Sequence, residues 1–90
     1  MPRYLVERSF NGGLDIPLGA DGTRRCTRIV AVNGECGVTW LHSYVSADRF
    51  RTYCIHDAPS PEAIRHVSHR NGLPVTRIIQ VSEFSPWFLY

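Results

Sequence analysis

Side chains that can bind a metal ion or transfer a proton are concentrated between Val38 and Asp57. This stretch carries two of the chain's four histidines, His42 and His56, and one of its three cysteines, Cys54. Imidazole nitrogen and thiolate sulfur are ligands that suit zinc, nickel and copper. The stretch therefore predicts a site for a divalent transition metal, provided that the fold brings these side chains together.

Two β-strands, predicted over residues 38–45 and 49–57 with a turn around residues 46–48, must position these groups. Strict alternation puts the larger side chains of the first strand on one face of the sheet: Val38, Trp40, His42 and Tyr44. The smaller side chains, at positions 39, 41, 43 and 45, fall on the other face. We expect the smaller set to lie under helices and the larger set to lie on the helix-free side, called here the open face.

The length of the turn sets which side chains are neighbours. A three-residue turn pairs His42 with Cys54 and Trp40 with His56. These ligands then cluster on the open face, where Glu7 of the neighbouring strand can join them. This register predicts a metal site made of His42, Cys54, His56 and Glu7.

A two-residue turn pairs His42 with Tyr53 instead, and the sequence leaves this choice open. The hairpin then presents an aromatic pocket lined by Trp40 and Tyr44. In that arrangement His42 and Glu7 are candidates for general acid–base catalysis on a small molecule, as in small dimeric α/β barrels. The sequence does not decide whether the protein is an enzyme, although the metal-binding interpretation comes first.

The other histidines and cysteines carry weaker predictions. His66 and His69 are three residues apart on a predicted helix and could chelate a metal, but solvated surface side chains are the expected case. Cys26 falls in an apolar helical stripe and is expected in the core. Cys36 follows a helix end and has no assigned role.

Two helices and two further strands complete the predicted order β-α-β-β-α-β. The first and last strands of the chain are predicted over residues 3–10 and 75–84. Helical spacing predicts the first helix, capped by Asp21 or Thr23 and ended by Asn33 and Gly34. The second helix has Ser60 as its N-cap, Pro61 in its first turn, and Asn71-Gly72 as its stop.

This order predicts an α+β, ferredoxin-like sandwich in which two helices cover one face of a four-stranded antiparallel sheet. Residues 1–90 are expected to form one domain. Large apolar groups on the open face predict a homodimer. A third interpretation is a purely structural or regulatory dimer in which the aromatic tail, residues 85–90, is the interaction element.

Composition excludes several classes of function. The net charge is only +2, and the ten basic residues are all arginines scattered along the chain, which does not predict nucleic-acid binding. No apolar run approaches the roughly 20 residues that span a bilayer. A signal peptide is not evident. We therefore expect a cytoplasmic protein with reduced thiols.

Beyond these patterns, the strings MPRYLVERSF, GVTWLHSYVS, RTYCIHDAPSPEAIR and NGLPVTRI resemble the small actinobacterial nickel-binding proteins of ferredoxin-like fold. The resemblance implies a homodimer that binds nickel at the dimer surface and serves in nickel sequestration or response. Position 56 departs from the family, which usually has an aromatic residue there. The matching positions are Glu7, Trp40, His42, Tyr44, Cys54, Pro61 and Glu62.

Residue chemistry and resemblance together predict a cytoplasmic homodimer that binds Ni2+, with other divalent transition metals as possible cofactors. Neutral imidazole and thiolate would displace water around the ion, and carboxylate oxygens would complete the shell. Affinity is expected to fall below about pH 6, where histidine protonates.

Overall fold

A computed structural model of the chain describes residues 1–16 and 19–87. The elements are β1 (Arg3–Ser9), α1 (Ala20–Glu35), β2 (Thr39–Val45), β3 (Arg51–Asp57), α2 (Pro61–Arg70) and β4 (Arg77–Val81). The strands pair antiparallel in the order β2-β3-β1-β4, which confirms the predicted ferredoxin-like fold. The predicted loop through Pro17, and Phe88, Leu89 and Tyr90 of the tail, lie outside the described residues.

Helix α2 begins as its sequence predicts. The Ser60 hydroxyl accepts a hydrogen bond from the Ala63 backbone N–H at 3.2 Å, and Pro61 occupies the first turn. This satisfies one of the N–H groups that a helix start leaves without a partner. Asn71 forms the C-cap, close to the predicted stop.

Helix α1 differs from its prediction at both ends. It starts at Ala20, and its N-cap is Gly19, which makes no side-chain cap hydrogen bond. Asp21 and Thr23 are therefore not caps. The predicted stop at Asn33-Gly34 is also wrong, because the helix continues to Glu35 and Gly37 takes the left-handed conformation with φ 71°. A glycine outside the last turn adopts that conformation at little cost.

The core lies between the helices and one face of the sheet, called here the covered face. Strand β1 contributes Tyr4 and Val6, and strand β3 contributes Cys54. Against them pack Ile64 and Val67 of α2, which are 0% and 2% exposed. The alternation of β1 therefore sets its even-numbered residues toward the helices, as its sequence pattern indicates.

A β-bulge between Trp40 and His42 changes which side chains of β2 share a face. Trp40 pairs with His56, whereas His42 pairs with Ile55 and Ser43 with Cys54. Leu41 is the extra residue, and an extra residue shifts the two-residue alternation by one. The prediction that Trp40 shares a face with His42 is therefore wrong.

The C-terminal strand is shorter than predicted. Strand β4 ends at Val81, so residues 82–84 do not continue it as the apolar pattern indicated. Its partner β1 offers paired positions only from Arg3 to Glu7, and a strand without a partner has no inter-strand hydrogen bonds for its backbone.

In residues 1–16 and 19–87, no helix is long and apolar enough to cross a membrane.

Candidate functional site

The hairpin separates the four predicted metal ligands onto the two faces of the sheet. His42 is exposed on the open face, and Glu7 lies on that face opposite Tyr53. Cys54 and His56 lie on the covered face, only 8% and 3% exposed. The bulge separates His42 from Cys54 and His56, because it pairs His42 with Ile55. The β1–β3 register separates Glu7 from them, because it pairs Val6 with Cys54 and Glu7 with Tyr53. The pairing of Trp40 with His56 is the one part of the expected registers that the structure retains.

The described residues of one chain do not form a complete metal site. In the part of the chain that the structure describes, no three or more His, Cys, Asp or Glu side chains approach closely enough to hold a metal ion. His42 and Glu7 share a face, but β3 lies between their strands. Two strand spacings set their backbones about 10 Å apart, so the two side chains are not neighbours in the sheet.

The separation of their strands also weakens the prediction that His42 and Glu7 act together as an acid–base pair. A catalytic base needs its proton donor or acceptor within hydrogen-bond distance, or one water away. Glu7 is in addition held by Arg77, whose Nη2 donates to its Oε1 at 3.0 Å. This geometry does not favour joint acid–base catalysis by His42 and Glu7.

An apolar row of side chains extends from His42 across the open face. The register places His42, Ile55, Leu5 and Ile79 in one row across the four strands. The His42 and Tyr44 rings meet edge to face with centroids 5.4 Å apart. Tyr44 is 64% exposed, so it forms part of an open surface rather than the wall of a closed pocket.

The covered face contains a cavity of about 300 Å³ between the sheet, helix α1 and the loop after β1. Trp40, predicted to line an open-face pocket, lines this cavity instead. Its polar members include Arg8, His56 and Cys54. Most of the remaining wall is apolar, formed by Phe10, Leu14, Ile16, Ile29, Val45 and Leu73.

Arg8 is the polar residue of this cavity that the sequence analysis missed. It is only 4% exposed, and its Nη1 donates to Ser68 Oγ at 3.0 Å and to the Pro74 carbonyl at 2.9 Å. Burial lowers the pKa of Arg8, while the neighbouring Cys54 opposes that shift. No carboxylate among the described residues pairs with Arg8. In the sequence, Arg8 continues the alternation of Tyr4 and Val6, and a charged residue at such a buried-face position is the pattern that identifies it.

His56 is the second unusual group of the cavity. Its Nδ1 is buried and has no hydrogen-bond partner among the described residues. Burial and then the nearby Arg8 charge lower the pKa of His56 to about 4. The ring is therefore neutral at pH 7. The Cys54 thiol beside it lies 3.7 Å from Thr52 Oγ1.

The remaining candidates are distributed over the helices. His66 and His69 are both exposed on α2, as expected for solvated side chains. Cys26 is only half-buried, so its predicted place in the core is wrong, whereas Cys36 packs against the core. All three cysteines are free thiols.

Comparisons with known proteins support the predicted fold and identify a protein family that matches the chain. A family model described as "Nickel responsive protein SCO4226-like" matches residues 4–81. Among solved structures, SCO4226 from Streptomyces coelicolor A3(2) superposes with a TM-score of 0.69 at 18% sequence identity, covering 92% of this chain and 99% of that one. No curated protein matches the chain.

Proposed function

The chain belongs to the SCO4226-like family of nickel-responsive proteins, and from that premise we propose that it is a homodimer that binds nickel and sequesters the ion or responds to it. One observation supports this function best. An exposed imidazole, His42, lies in one row with the apolar Ile55, Leu5 and Ile79 on the sheet face that the helices leave uncovered.

The open face suits a second copy of the chain. Tyr44 is 64% exposed and Ile79 38% exposed, and the half-buried Leu5 and Ile55 lie between them. A small domain gains stability by covering such a surface. A twofold dimer places the same patch on both sides of the interface, so each copy would bring its own His42 to it.

Because the described residues of one chain do not form a complete metal site, the proposed site takes its metal ligands from two chains. Of the four predicted ligands, we assign the metal to His42, whose exposed ring an ion can reach. Cys54 and His56 are buried on the opposite face, and Glu7 is held by Arg77. Neutral imidazole is a good nickel ligand, and water or carboxylate oxygen can fill the other positions.

The same proposal includes the cell compartment. Cys26, Cys36 and Cys54 are free thiols, which a reducing environment such as the cytoplasm maintains. The nickel would then be drawn from the cytoplasmic pool.

Titration calorimetry of the tag-free protein with Ni2+, Zn2+ and Co2+ at pH 7.5 tests the function. We expect saturable heat with nickel, near one ion per two chains, and weaker binding in acid, because protons compete with the metal for the imidazole nitrogen. Light scattering should give the mass of a dimer. No heat with any of the three metals, or a monomer at micromolar concentration, would contradict the proposal.

Two variants test the ligand assignment. His42→Ala should weaken nickel binding by at least tenfold. The double variant His66→Ala/His69→Ala removes the exposed pair on α2 and should bind as the wild type does. The reverse result, with binding lost only in the double variant, would place the metal on the helix and overturn the role of His42.

A further inference from the structure

The cavity of the covered face is separate from the surface around His42. We propose that the cavity beside Arg8 and His56 binds a small organic acid, whose carboxylate pairs with the Arg8 guanidinium and whose apolar body fills the cavity. Three features carry this inference: a buried cation and a buried imidazole nitrogen that have no anionic or hydrogen-bonding partner, respectively, among residues 1–16 and 19–87, and an apolar space of suitable size.

The buried charge is the first feature. Arg8 is 4% exposed, and burying a charge is costly unless an opposite charge and hydrogen bonds compensate it. Ser68 Oγ and the Pro74 carbonyl accept bonds from Nη1 only, and neither is an anion. A guanidinium has five N–H donors in a planar fork that matches a carboxylate. An incoming carboxylate would supply the missing negative charge.

The unpaired nitrogen is the second feature. His56 is buried, lines the same cavity, and has a buried Nδ1 to which no atom of the described part of the chain is hydrogen-bonded. Buried polar atoms are nearly always hydrogen-bonded, so each exception calls for an explanation. A polar atom of the bound ligand would complete this bond. Arg8 and His56 would thus hold the ligand at two points on the covered face.

The space itself is the third feature. Its volume of about 300 Å³ is at the small end of ligand pockets, which suits an acid with one ring. Phe10, Ile29 and Leu73 give it apolar walls. Two lining residues are exposed, Val45 at 44% and Arg49, so the cavity reaches the surface beside a second cation. That cation favours the approach of an anion.

Titration of the metal-free, 15N-labelled protein with phenylacetate and with phenylacetamide tests the inference by NMR. The two probes have nearly the same shape, and only the first carries a negative charge. We expect phenylacetate to shift the amide signals of residues 52–56 saturably, and phenylacetamide to bind more than tenfold more weakly. Equal binding of the two probes, or no binding of phenylacetate at millimolar concentration, would overturn the inference.

Variants connect the binding to the named residues. Arg8→Met should abolish phenylacetate binding, whereas Arg70→Met, a surface control paired with Glu35, should not. Retained binding in Arg8→Met would refute the site. If that variant fails to fold, Leu73→Trp decides instead, because it fills the cavity and keeps the charge, and it should prevent binding. His42→Ala should bind phenylacetate normally, which separates this site from the nickel proposal.

Discussion

We predict that the buried histidine of the covered face, His56, makes the protein less stable in mild acid. Burial and the Arg8 charge lower the pKa of His56 from its ordinary value of 6.5 to about 4. Between these two values the unfolded chain binds a proton that the folded chain does not bind. The free energy of unfolding therefore falls as the pH falls from 6.5 toward 4. The stability that depends on a neutral His56 is fully present above pH 6.5.

The size of this loss follows from the two pKa values. One pKa unit corresponds to about 1.4 kcal/mol, so the shift predicts a loss of about 2 kcal/mol by pH 5 and about 3 kcal/mol by pH 4. A small domain has a total stability of roughly 5–15 kcal/mol. The carboxylates of Asp48 and Asp57 have lowered pKa values, so their contributions are lost only below their ordinary value of 3.8. The two carboxylates therefore change the stability at a lower pH than His56 does.

Urea unfolding followed by circular dichroism at pH 7, 6 and 5 measures this loss. His56→Gln replaces the ring with a neutral side chain that does not titrate. We expect the wild type to lose about 2 kcal/mol between pH 7 and pH 5 and the variant to lose much less. His69→Gln, a change at an exposed histidine of α2, is the matched control and should behave as the wild type.

The comparison of slopes decides the result, because His56→Gln also changes packing and so shifts stability at every pH. Parallel pH profiles for the wild type and His56→Gln would refute the reasoning. Such a result would mean that the folded protein accepts the proton on His56 without cost, and that Arg8 does not act on it.

Three further changes test the local structure by urea unfolding at pH 7. Ser60→Ala removes the cap hydrogen bond to Ala63 and should cost about 1 kcal/mol; an unchanged midpoint would contradict this role. Ile64→Ala empties a position that is 0% exposed, and we expect a loss of 2–5 kcal/mol, roughly, from the cavity left behind, whereas a loss near zero would exclude Ile64 from the core. Gly37→Ala forces a side chain into φ 71° with ordinary contact to Pro59 at 3.9 Å, so the cost of about 1–2 kcal/mol should come from the backbone alone. Full stability in that variant would show that the loop rearranges.

Local sequence patterns were sufficient for the order of the elements and for most of their positions. Helix α2 is the clearest case, because Ser60 and Pro61 act within one turn of the residues they serve. The start of α1 was predicted less well, since Gly19 begins it without a side-chain cap. Tertiary contacts can fix a helix end that no local residue specifies.

The candidate site depended on one feature that local patterns do not reveal. A bulge at Leu41 depends on how β2 pairs with β3, and the sequence of β2 shows only its own alternation. The bulge set His42 apart from Cys54 and His56, and it turned Trp40 toward the helices. The single predicted cluster thus became an exposed imidazole on one face and a cavity on the other.

The sequence by itself determined the ferredoxin-like order of strands and helices and the kinds of side chain available for chemistry. These follow from periodicity, capping and residue type, which act over a few neighbouring positions. Only the tertiary structure decided which of these side chains meet. It buried Arg8 with His56 beneath the helices and left His42 uncovered, because strand pairing and burial join residues that are far apart in the chain.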